Sequence, residues 1–78
     1  MNLVEKRLFR PVNDRWKMVE ETIKLENELI EQGYNVQPRG GPVIILKLEG
    51  GEVHYVPHDD GIWQYIFEYQ TEGGANDE

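Results

Sequence analysis

The chain predicts an α+β domain, and three observations carry that expectation. One long stretch between Asn13 and Gln32 repeats with helical period. Three short runs rich in β-branched and aromatic residues follow it. A Gly50-Gly51 pair stands between the first two of those runs, where a hairpin needs a tight turn. The predicted architecture is an N-terminal arm, one long amphipathic helix, and a three-stranded antiparallel β-meander packed on that helix. With 78 residues there is room for a single domain, assigned to 1–72, followed by a flexible acidic tail at 73–78.

The arm, residues 1–10, holds Leu3, Val4, Leu8 and Phe9 among charges. These apolar positions fit neither period well, so strand and helix both remain open until Pro11 ends the segment. The helix begins at Asn13 or Asp14, either of which caps its free amides, and Gly33 supplies the left-handed residue that closes it. At about 100° per residue, Lys17, Glu20, Glu21, Lys24, Glu28, Glu31 and Gln32 share one side. Trp16, Met18, Val19, Ile23, Leu25, Leu29 and Ile30 share the other, an apolar arc of about 180°, wider than one packed face requires. Such a helix is expected to touch its own sheet and something else. Glu26 falls inside that arc, where its stem can lie on apolar surface while its head reaches water.

Tyr34–Pro38 reads as a short extended piece, and Arg39-Gly40-Gly41-Pro42 as a break. Val43–Leu48 and Glu52–Val56 form the predicted hairpin around Gly50-Gly51. With Glu49 opposite Glu52, the residues Ile44, Leu46, Leu48, Val53 and Tyr55 share one face, and Val43, Ile45, Lys47, His54 and Val56 the other. Pro57–Gly61 is a turn. The third strand, Ile62–Tyr69, places Trp63, Tyr65, Phe67 and Tyr69 on one side and Ile62, Gln64, Ile66 and Glu68 on the other. The aromatics are expected to pack on the helix, which leaves Val43, Ile45, Val56, Ile62 and Ile66 on the far face. With either orientation one apolar face lacks cover, and a face of that kind marks a protein contact.

Net charge is −7, unevenly spread. Residues 1–17 carry Lys6, Arg7, Arg10, Arg15 and Lys17 against Glu5 and Asp14, a balance of +3, so the remainder carries −10. A phosphate-binding protein shows the opposite distribution, so direct nucleic-acid binding is not expected, and the row of aromatics lacks the basic groove that base stacking needs. An acidic body suits a basic partner. No cysteine is present, no apolar run approaches the roughly 18 residues that span a bilayer, and the charged first ten residues do not form a signal peptide. A cytoplasmic protein without membrane contact is the expectation.

Little in the chain suggests chemistry. Serine is absent, and Thr22 and Thr71 are the only hydroxyls besides tyrosine, so nucleophilic catalysis has almost no material and no catalytic residue is assigned. His54, His58, Asp59 and Asp60 have ligand chemistry, but His58-Asp59-Asp60 lie in a turn that favours such residues for backbone reasons; a divalent-metal-binding protein is the weakest alternative, and no metal ligand or cofactor is assigned. The glycines at 40–41 follow a helix rather than precede one, unlike a phosphate loop.

The function these features favour is a small acidic, non-enzymatic protein that inhibits or modulates a larger, basic, nucleic-acid-processing protein. Its profile is that of the inhibitors viruses and mobile elements direct against host defence. The acidic contact set is Glu20, Glu21, Glu28, Glu31, Asp59 and Asp60, which could mimic nucleic-acid charge. The apolar set is Ile45, Val56, Ile62, Ile66 and Trp63 on the sheet. A homodimeric assembly protein is the alternative.

Overall fold

The computed structural model describes residues 1–37 and 41–70. In chain order the elements are β1 (Asn2–Pro11), α1 (Arg15–Glu31), β2 (Val36–Gln37), β3 (Ile44–Lys47), β4 (Gly51–His58) and β5 (Gly61–Glu68). All five strands form one antiparallel sheet in the order β1-β5-β4-β3-β2, so the first strand joins the last. The expected three-stranded meander is therefore corrected to a five-stranded sheet. Its middle is the β3-β4-β5 meander, and the arm and the piece after the helix add one strand at each edge.

The arm concealed its strand character for an identifiable reason. Pairing with β5 shifts register between Leu3 and Glu5 and again between Leu8 and Arg10, so Val4 and Phe9 are inserted residues. Each β-bulge breaks the two-residue alternation by which a strand is recognised. The second bulge also lets neighbouring side chains share a face. Phe9 packs edge-on against Tyr55 with ring centroids 5.0 Å apart, and Arg10 reaches Glu21 and Glu28 of α1. The outer edge of β1 is thus bent twice and carries Lys6, while the opposite edge, β2, has only two residues. Both devices discourage further strand addition.

The helix forms where its caps place it. Asp14 Oδ1 accepts from the amides of Trp16 (2.8 Å) and Lys17 (3.2 Å). At the other end Gly33 takes φ +93°, its amide donates to the Ile30 carbonyl, and the Tyr34 amide donates to that of Leu29, the paired closure in which a left-handed glycine ends a helix. Leu25 and Leu29 descend from α1 onto Val36, Ile44, Leu46, Val53, Tyr55 and Ile62, forming the core. Met18 and Ile30 pack at its border, whereas Trp16, Val19 and Ile23 stay in water. The broad apolar arc is used on one half only.

The hairpin also differs in detail. Ile44 pairs with Tyr55 and Leu46 with Val53, a register two residues from the expected one, and the Leu48 amide donates to the Gly51 carbonyl. The tight loop is therefore Glu49-Gly50, and Gly51 opens β4. Because the shift is even, every side chain keeps its expected face except Leu48, which is exposed beyond the last pair. Gly51 is required where it lies: a Cβ there would collide with the Phe67 carbonyl oxygen across the ladder. The expected tail at 73–78 and the Arg39-Gly40 part of the break lie outside the described residues.

Candidate binding surface

Among the described residues, one face of the sheet lies under α1 and the other is open. Ile62 pairs with Pro57, Gln64 with Tyr55 and Ile66 with Val53, so β5 sends its even-numbered residues toward the helix. Trp63, Tyr65 and Phe67 consequently stand on the open side, beside Val56, His54 and Glu52 of β4, and Ile45 of β3. On their other flank are Leu8, Lys6 and Leu3 of β1, paired with Trp63, Tyr65 and Phe67 respectively. The expectation that the aromatics pack against the helix is reversed. Rings with a polar end need a partner for it, and these find theirs at the water boundary. Trp63 Nε1 donates to Asp60 Oδ1 at 2.8 Å, and Tyr65 Oη lies 2.9 Å from His58 Nε2. The helix-facing row instead holds compact Ile62 and Ile66, with Gln64 as its buried polar member and Glu68 ending the row in water. Gln64 is 8% exposed; its Nε2 donates to Tyr55 Oη and its Oε1 accepts from Arg7 Nε.

The open face is an ordered aromatic array. Tyr65 and Phe67 stack with centroids 6.5 Å apart and planes 12° apart. His54 sits 4.6 Å from Phe67, His58 5.6 Å from Trp63, and the Lys6 ammonium 6.0 Å from the Tyr65 ring. These rings partly shield one another, while Leu3 and Leu8 on β1 are more open, 50% and 39% exposed. One corner carries charge: Glu52 accepts from Tyr69 Oη (2.9 Å) and lies 2.9 Å from His54 Nε2. The hydrogen bonds from His54 and then Tyr69 hold the Glu52 carboxyl below its ordinary value, and that to Glu52 raises the Tyr69 hydroxyl above its own.

The predicted site residues separate into groups. Ile45, Val56 and Trp63 lie together on the open face. Ile62, only 1% exposed, and Ile66 belong to the core side and are corrected accordingly, because alternation turns them away from Trp63. The acidic set forms no single patch. Arg10 bridges Glu21 (3.0 Å) and Glu28 (3.5 Å), which removes both from a free anionic surface. Glu20 and Glu31 are exposed. Asp59 and Asp60 form the β4–β5 turn; Asp59 lines a cleft with Asn13, Asp14 and Arg15 at the helix start. Glu31 ends the 17-residue helix about 25 Å away from that start. Leu3, Leu8, Tyr65 and Phe67 were missing from the predicted apolar set. For the last two the signal was their alternation with Trp63, and for the first two it was hidden by the bulges.

Among the described residues no group of three or more His, Asp or Glu is placed to hold a metal ion, and His54 and His58 each have a partner of another kind. No helix is long and apolar enough to cross a membrane, among the described residues. Comparison with protein-family models, with curated proteins and with solved structures gives no match.

Proposed function

We propose that this chain is a small, non-catalytic cytoplasmic binding protein that docks on a larger protein through the open face of its sheet and thereby inhibits or modulates it. The observation that carries the reading is the orientation of β5: the Trp63-Tyr65-Phe67 row points away from α1, flanked by Leu3, Leu8, Ile45 and Val56. Aromatic centres with polar tips and an aliphatic border are what protein interfaces concentrate at their hot spots. The acidic charge of −7 favours a partner surface that is basic, through faster encounter and exclusion of acidic competitors.

The test compares the intact chain with the Trp63→Ser/Phe67→Ser double variant as bait in extracts of the source cells, after circular dichroism confirms that both are folded. A partner held in stoichiometric amount by the intact chain and lost by the variant supports the proposal. Equal retention by both refutes the assignment of the face. A dimer mass for the intact chain in light scattering, reduced to monomer by the same substitutions, would instead assign the face to a second copy.

A further inference from the structure

The exposed half of α1 forms a second surface, on the other side of the sheet from the aromatic array. Trp16, Val19 and Ile23 are 78%, 52% and 54% exposed, and they recur at i, i+3 and i+7 along one stripe. Beside the stripe runs a groove of about 360 Å³ walled by Met18, Val19, Thr22 and Ile23 of the helix, by Pro42 ahead of β3 and by Pro57 of β4. It continues, through shared Met18, Val19 and Pro57, into a cleft of about 360 Å³ that ends at Asp14 and Asp59.

We propose that this groove is a docking site for a basic amphipathic helix of another protein. The stripe has the spacing by which one helix seats another, apolar anchors laid into an apolar trough. Its surroundings choose the sign of the partner. The charges that line its cleft end are Asp14 and Asp59 against Arg15, in a chain whose total is −7, so a cationic segment is drawn in and a second copy is repelled. Area points the same way. Trp16 at this exposure offers on the order of 150 Å², and with the two aliphatic residues the stripe stays well short of the about 800 Å² per partner that a stable globular interface buries. One helix fits that footprint. The inference does not rest on the sheet-face proposal; a chain that used both faces would bridge two bodies.

The probe is a synthetic peptide with Leu on one helical face and Lys elsewhere, tested beside a Glu-for-Lys counterpart and a Lys/Leu peptide interrupted by proline. Titration calorimetry gives affinity, and amide chemical shifts of the intact chain give location. Binding of the helical Lys/Leu peptide, with shifts centred on Arg15–Ile23 and a weakening of about tenfold or more in Val19→Ser/Ile23→Ser, is expected. Those two side chains lie in water, so their replacement leaves the fold unchanged. Failure of the peptide to bind, equal affinity for the Ser variant, or a preference for the Glu/Leu or proline-interrupted peptide would overturn the proposal. So would binding abolished by Trp63→Ser/Phe67→Ser but not by the helix substitutions, a result that leaves the sheet-face proposal standing.

Discussion

Gly50 and Gly51 are neighbours of equal standing in the sequence, and the fold treats them as opposites. A Cβ built on Gly50 meets nothing within 4 Å, whereas one on Gly51 lands on the Phe67 carbonyl oxygen, with Cα of Glu68 at 3.1 Å. All of these obstacles are backbone, so no rotamer change relieves the contact. β4 and β5 must separate locally, and the bonds nearest the collision go first: the Gly51–Glu68 pair and the Tyr69 amide donating to the Gly50 carbonyl at 3.0 Å. Losing one or two such bonds at about 1 kcal/mol each, within the about 1–3 kcal/mol usual for overpacking, sets the cost of Gly51→Ala near 2 kcal/mol. In a domain of this size each kcal/mol lowers Tm by roughly 4–8 °C, so Gly51→Ala should melt about 8–16 °C below the parent. Gly50→Ala should change stability by no more than about 0.5 kcal/mol. Thermal and urea unfolding followed by circular dichroism measure both. Equal losses at the two positions would place them symmetrically in the loop and refute the register described above.

Three further outcomes are expected. Asp14→Ala removes the acceptor for the Trp16 and Lys17 amides and should cost about 1 kcal/mol in urea unfolding; no loss would mean that another group caps α1. Gln64→Leu keeps the volume but strands Tyr55 Oη and Arg7 Nε, and should destabilise by about 1–2 kcal/mol although it adds apolar surface; a gain in stability would show that those groups find other partners. The Glu52 pair gives a pH signature at both ends. The lowered Glu52 carboxyl contributes stability above its ordinary 4.5 that is lost as pH falls through the lowered value, and the raised Tyr69 hydroxyl contributes stability below its ordinary 10.0 that is lost as pH rises through the raised one. Glu52→Gln should flatten both limbs of the stability–pH curve relative to the parent, and an unchanged curve would reject the hydrogen-bonded trio.

Composition and period alone determined the helix with a start at Asn13 or Asp14 and an end at Gly33, the two faces of the hairpin, and an apolar arc on α1 wider than one sheet can cover; the turn expected at Pro57–Gly61 narrows to Asp59-Asp60, with Pro57 and His58 in β4 and Gly61 in β5. These are local properties: cap chemistry, a glycine at positive φ, and the parity of strand residues act over a few positions and survive a two-residue error in register. Tertiary structure decided the rest. The pairing of β1 with β5 joins residues fifty or more positions apart, and its bulges at Val4 and Phe9 erased the alternation that would have announced a strand. Which face of the sheet the helix covers depends on where Trp63 and Tyr65 find partners for their polar ends, and those partners, Asp60 and His58, come together only once the β4–β5 turn has formed. Arg10 likewise withdraws Glu21 and Glu28 from the acidic surface only after a bulge on one element has aimed it at another. A surface needs all its elements in place before it exists, and so the candidate binding face was legible in Ile45, Val56 and Trp63 but not in its β1 flank or in the direction of β5.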